Sequence, residues 1–155
     1  MAKEGQQQPI DEREISLKLL IVLMRAAQSV RKGIEADIRH HGLNLTAFSV
    51  LELLYHKGDQ PIQQISGKIL IASSSTTYVV DQLQKKRLII RKPCPGDRRV
   101  TFASLTDEGR SLMERIFPKH REAVHALLGG LPAEEKKTLI DMLKKLGLFA
   151  ADQLG

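Results

Sequence analysis

Lys85, Lys86, Arg87, Arg91, Lys92, Arg98 and Arg99 crowd into fifteen residues that contain a single acid, Asp97. The whole chain carries 24 basic against 18 acidic side chains, a formal net charge of +6. This one stretch therefore holds the entire surplus, and the rest of the chain balances at 17 charges of each sign. Cations gathered so tightly favour a polyanionic partner, nucleic acid above all. Just upstream, Ser73, Ser74, Ser75, Thr76, Thr77 and Tyr78 form a run of hydroxyl side chains that suits a helix poorly unless something uses it. At the start of a helix such residues let the backbone come close to phosphates and base edges, with the positive end of the helix dipole toward the anion.

Other candidate chemistry is thinner. Cys94 is the single cysteine, so no intramolecular disulfide can form, and the chain fits a reducing cytoplasm. Its flanking Arg91, Lys92 and Arg98 would favour a thiolate, which raises a redox-switch reading. With no second cysteine to resolve an oxidised thiol, an ordinary surface thiol is the stronger expectation. His120 and His125 are five residues apart, not the four that place two imidazoles on one helical face, so a zinc site is not expected. Glu122 and His125 match one limb of a di-iron bundle whose other limb is missing. Both histidines are expected to be solvated or lightly packed. There is no glycine-rich phosphate loop, Gly-x-Ser-x-Gly elbow or paired-carboxylate cleft, so neither an enzyme nor a cofactor is expected.

The elements that must position the basic and hydroxyl groups follow from periodicity. With 155 residues and 42% apolar content, a single domain is expected. Residues 1–10 read as a flexible tail without a secretory h-region. The longest apolar run, Leu19 to Met24, is far short of the roughly 20 residues a membrane span needs, so a soluble cytoplasmic protein is expected. From Asp11 to His40 one long helix carries two apolar stripes, Ile15, Leu19, Val22, Ala26, Val30 and Leu17, Leu20, Ile21, Met24. One stripe is expected to pack within the chain and the other against a partner helix. Thr46 is the expected cap of a second helix that buries Phe48, Val50, Leu51 and Leu54 and ends at Gly58. Pro61 opens a third.

Ser73 is the expected cap of a fourth helix, with Thr76, Val79, Val80 and Leu83 inward and Ser74, Ser75, Thr77, Tyr78 and Gln82 outward. Strands at 88–90 and 100–105 flank a long turn at 93–99, making a hairpin with a basic tip. Thr106 then opens a helix that Pro118 should kink and Gly129-Gly130 ends. Pro132 opens the last, with Leu139, Leu143 and Leu146 on one side. The fold class is mainly α with a small β-wing, the winged helix-turn-helix arrangement, plus a helical region whose apolar surface exceeds its partners in the chain.

The segments TAFSVLELL (46–54), SSSTTYVVDQLQKKRLIIR (73–91) and PGDRRVTFASLTDEGR (95–110) together resemble the MarR family of bacterial transcriptional regulators. The resemblance spans residues 11–150, with the helix-turn-helix at 61–86, the wing at 88–105 and dimerisation helices at 11–40 and 107–150. It implies a homodimer on a palindromic double-stranded operator and repression relieved by a small-molecule effector bound between the dimerisation helices and the lobe. It also implies that Asp97 braces the wing, that Arg99 enters the minor groove and that Arg98 meets a phosphate. The expected DNA-binding set is Ser73, Ser74, Ser75, Thr77, Tyr78, Gln82, Lys85, Arg98 and Arg99.

Two positions depart from the family pattern. Arg87 stands where glycine is usual, which demands a left-handed backbone or a different helix end, or makes it a further phosphate contact. Tyr78 stands where arginine is common, which replaces a guanine reader with apolar contact to a thymine methyl. Two other functions compete: a winged-helix protein–protein adaptor, which would not need the charge gathered at 85–99, and a redox or metal sensor of the same fold acting through Cys94 or His125.

Overall fold

The structure is a computed structural model that describes residues 9–69 and 75–155. In chain order it has α1 (Glu12–His40), α2 (Leu45–Lys57), β1 (Gln60–Pro61), α3 (Ile62–Lys68), α4 (Thr76–Lys85), β2 (Ile89–Cys94), β3 (Asp97–Leu105), α5 (Asp107–Leu127) and α6 (Ala133–Asp152). The strands form one antiparallel sheet in the order β1-β3-β2. Among the described residues, no helix is long and apolar enough to cross a membrane.

Burial separates the chain into two regimes. A continuous core joins Ile38 at the end of α1, Phe48, Val50, Leu51 and Leu54 of α2, Ile65 of α3, Val79, Val80 and Leu83 of α4, Ile89 and Ala103 of the sheet, and Met113 and Ile116 of α5. By contrast α6 buries none of its residues. In α1 both apolar stripes lie open: Ile15, Leu17, Leu19, Leu20, Ile21, Val22 and Met24 are each about half exposed. The expectation that one stripe packs inside the chain is thus overturned. Contact between α1 and α5 lies further along, where a Cβ on Gly33 would come within 2.6 Å of Leu127 and where Asp37 meets His120.

Local sequence reasoning also misplaced several helix and strand ends. Asn44, not Thr46, caps α2, its side chain accepting the Ala47 backbone N–H at 2.8 Å. Thr46 is fully buried, because capping from Asn44 turns Leu45, Thr46 and Ala47 into the core. The N-cap of α4 is Ser75, with no side-chain cap bond, and the helix begins three residues beyond the expected cap Ser73. Ser73 itself and Ser74 lie outside the described residues. The hairpin turn is only Pro95 and Gly96, since the strands run to Cys94 and resume at Asp97. Pro93 is tolerated in β2 because that strand is at the sheet edge and its register slips between Pro93 and Cys94. Pro118 lies within a helix assigned as continuous over Asp107–Leu127.

His120 departs from its expectation as well. It is 8% exposed, and its Nδ1 makes a 2.7 Å hydrogen bond to Asp37 Oδ2. Its ring lies 4.5 Å, centroid to centroid, from Phe48. His41 Nε2 approaches the other oxygen of Asp37 at 3.7 Å. One carboxylate therefore joins α1 to α5 beside the aromatic edge of α2.

The end of α4 resolves the departure at Arg87, which adopts φ 62°, the left-handed alternative. Leu88 N–H bonds the Leu83 carbonyl at 3.0 Å and Arg87 N–H the Gln84 carbonyl at 2.9 Å, the paired closure that a left-handed residue permits after a helix. Thr106 then locks the turn. Its hydroxyl donates to the Arg87 carbonyl at 2.7 Å and its N–H to the Leu88 carbonyl at 3.1 Å, while the same hydroxyl accepts the Gly109 N–H and caps α5. A Cβ on Gly109 would fall 2.1 Å from the Leu88 oxygen, so the first turn of α5 can lie this close to the chain only with glycine there. Gly109→Ala is expected to destabilise the fold by about 1 to 3 kcal/mol through overpacking against backbone, read as a lower urea midpoint at unchanged slope. An unchanged midpoint would show that the approach is not obligatory.

Candidate nucleic-acid interface

The inward face of α4, Val79, Val80 and Leu83, is fully buried and rolls the opposite face outward. Ser75, Thr77 and Lys85 are exposed, Gln82 is half-buried, and Tyr78 stands 61% exposed. Five of the residues expected to read DNA thus share one helix surface. A tyrosine this exposed on a helix that otherwise buries its apolar side chains contributes nothing to the core, which leaves its ring for an external partner.

The hairpin carries the second group. Arg98 and Arg99 are exposed on the first residues of β3. Asp97 Oδ1 accepts the Arg99 backbone N–H at 3.0 Å and the Arg99 Nε at 3.2 Å, while the Arg99 side chain remains 91% exposed. The carboxylate therefore orients the arginine without hiding it. These two hydrogen bonds, the backbone one foremost, hold the Asp97 carboxyl below its ordinary value of 3.8.

Other candidate groups fall elsewhere. Cys94 is half-buried on β2, opposite Asp97 in the register. Arg91, counted on sequence among the cations beside that thiol, instead sends its guanidinium to Asp81 and Gln84 on α4. His125 is exposed at a shallow recess shared with Arg121, Glu122 and Lys136. Among the described residues no three His, Cys, Asp or Glu side chains group as metal ligands. Sequence reasoning missed two constellations, the Arg91 fork onto α4 and the Asp37–His120 bond. Each joins residues on different elements, and only the acid of the Val-Asp-x-Leu pattern hinted at the first.

The MarR family model matches residues 43–101, the stretch from the start of α2 into β3. The transcriptional regulator MhqR of Bacillus subtilis is 54% identical over 137 residues, which cover 88% of this chain and 94% of that protein. The chain belongs to the MarR family. It is accordingly a helix-turn-helix transcriptional regulator and not an enzyme. The transcriptional repressor MprA of Escherichia coli is 29% identical over 119 residues, covering 76% of this MarR-family chain and 67% of that protein. The structure of Sco3205 from Streptomyces coelicolor, a MarR family regulator in complex with DNA, superposes with a TM-score of 0.76 at 22% identity. It covers 93% of this chain and 91% of its own, which makes the winged-helix fold common to both.

Two outcomes follow from the wing geometry. Arg99→Ala should weaken binding to a selected duplex by about 1 to 3 kcal/mol with little change in folding; unaltered affinity in a mobility-shift titration would remove its role. Because the folded-state pKa of Asp97 is depressed, its bonds are present above 3.8 and are lost only as pH falls through the lower folded value. A side-chain carboxyl resonance of Asp97 titrating at or above 3.8 would contradict the brace.

Proposed function

We propose that the protein is a homodimeric repressor that acts in the cytoplasm, binds a palindromic operator through α4 and the wing, and releases it when a small molecule binds. The observation that carries the DNA reading is the pairing, on one lobe, of the uncovered α4 face with the exposed, carboxylate-oriented Arg99. The helix fits the major groove by its width. The arginine reaches the adjacent minor groove, where a narrow groove focuses negative potential. Arg98 supplies a phosphate contact, and Tyr78 makes apolar contact with a thymine methyl.

The dimer is supported by what α1 and α6 leave open. In addition to the α1 stripes, Ile140, Met142, Leu148 and Phe149 of α6 are each more than half exposed, an apolar surface that water does not tolerate on a lone subunit. Pairing these helices with a second copy sets two lobes on half-sites about 34 Å apart and multiplies the affinity of each through effective concentration.

An effector seated between the helical arms and the lobe changes the separation of the two reading helices. A recess of about 310 Å³ lies where α1 meets α2, lined by Glu35, Arg39, Leu43, Asn44 and Leu45. Its size matches the low end of ligand pockets.

The test is selection of bound duplexes from random DNA, followed by a salt titration and a release screen with small phenols, quinones and antibiotics. Recovered sequences should be two-fold symmetric, and log affinity should fall by about 0.9 per neutralised phosphate for each tenfold rise in salt. A flat salt response would favour an adaptor, and a monomer in light scattering would remove the dimer.

A further inference from the structure

We propose that Arg91 is a positioning residue for DNA recognition, clamping the wing to the reading helix and so setting the distance between the two groove contacts. This rests on the proposed seating of α4 and Arg99 in neighbouring grooves. Arg91 Nη1 hydrogen-bonds Gln84 Oε1 and Nη2 pairs with Asp81 Oδ1. Asp81 and Gln84 are three residues apart in α4, so they stand one above the other on the same side. The planar guanidinium meets both at once, which a lysine ammonium cannot do with the same geometry. Although it falls in the most basic stretch of the chain, Arg91 has its charge directed back into the protein.

The mechanical need for such a clamp follows from the topology. Strand β2 leaves α4 through the single turn at Arg87 and Leu88 and forms an edge of the sheet. On its β3 side the hairpin is held where β1 pairs with Ala103 and Phe102, in register with Arg91 and Lys92, and the length beyond that row can rock about it. The tip at Pro95 lies four residues beyond Arg91, or about 13 Å at about 3.3 Å per residue. A rock of about 15° displaces such a lever by about 3 Å, half of the roughly 6 Å width of the minor groove that Arg99 must enter. An attachment at Arg91, on the β2 edge opposite β1, removes that freedom. The Asp97 bonds orient Arg99 within the wing, whereas Arg91 orients the wing against α4.

The competing role for Arg91, a phosphate contact, predicts the opposite sign at its partner. If Arg91 holds the wing, Asp81→Ala weakens binding although it removes a negative charge from the reading helix. If Arg91 binds phosphate, Asp81→Ala tightens binding.

The experiment measures affinity, salt slope and footprint on the selected duplex for Arg91→Met, Asp81→Ala, their double variant and each in an Arg99→Ala background. Expected for Arg91→Met and Asp81→Ala is a loss of about tenfold each, the order of one minor-groove arginine. The double variant should lose no more than either single, and neither should add much to Arg99→Ala. The wild-type salt slope should persist. Hydroxyl-radical protection in the minor groove beside the wing should fade while guanine N7 protection under α4 remains.

Tighter binding by Asp81→Ala, a salt slope reduced by about 1 in Arg91→Met, or simple additivity of the two would overturn the clamp. Should Arg91→Met lower the folded fraction, Asp81→Ala and Gln84→Ala leave the strand intact and carry the same test. If Arg99→Ala weakens binding while Arg91→Met and Asp81→Ala do not, the clamp alone is wrong. If Arg99→Ala itself changes nothing, the seating of the wing in the minor groove is what fails.

Discussion

The carbonyl of Leu88 occupies the most constrained point of the fold. It accepts the Thr106 N–H at 3.1 Å and leaves no space for a side chain on Gly109. At this point α4 has just ended, the wing is about to begin, and α5 starts on the far side of the hairpin. The left-handed backbone at Arg87 turns the chain out of α4, and Thr106 secures that turn with two donated hydrogen bonds before capping the next helix with the same hydroxyl. Three elements with separate tasks are thus pinned within one short network. A non-glycine in a left-handed conformation carries a conformational cost, which the closure of α4 and the Thr106 bonds offset.

The next level of organisation is the relation of the lobe to the helices that extend from it. The core draws on every helix except α6 and on β2 and β3, and α1 joins it only near its C-terminal end. There the Asp37 carboxylate lies between His120 and His41 while Phe48 covers the His120 ring. A hydrogen bond between half-buried polar groups is directional, so it sets the angle between α1 and α5 more sharply than apolar packing alone. In the proposed dimer any change in that angle moves the lobes and their α4 helices together. The close approach of Gly33, one turn earlier in α1, to Leu127 belongs to the same junction.

Much of this was legible in the sequence because it rests on local rules. The order of helices, the position of the hairpin, the inward set Val79, Val80 and Leu83, and the outward set around Tyr78 follow from periodicity and from Gly and Pro. The concentration of charge at 85–99 needed only counting. Errors gathered where two residues of similar propensity compete for one role. Asn44 and Thr46 can both cap a helix, and Thr46 is drawn inward once Asn44 takes the cap. In the same way, a proline at position 93 signals a turn unless the strand is known to be an edge.

The sequence by itself determined the order of the helices and the hairpin, the winged arrangement and the side of α4 that faces outward, since these depend on spacing along one chain, whereas the short β1 was not read from it. Only the tertiary structure decided which cations are committed elsewhere. Arg91 and Arg99 are the same residue type in the same basic stretch, yet one is folded back onto Asp81 and Gln84 and the other is held outward beside Asp97. It likewise decided that His120 is buried against Asp37 and that both stripes of α1 are uncovered. The reason is physical: the fate of a charge or an apolar face depends on which distant element arrives beside it, and residue spacing carries no record of that arrival.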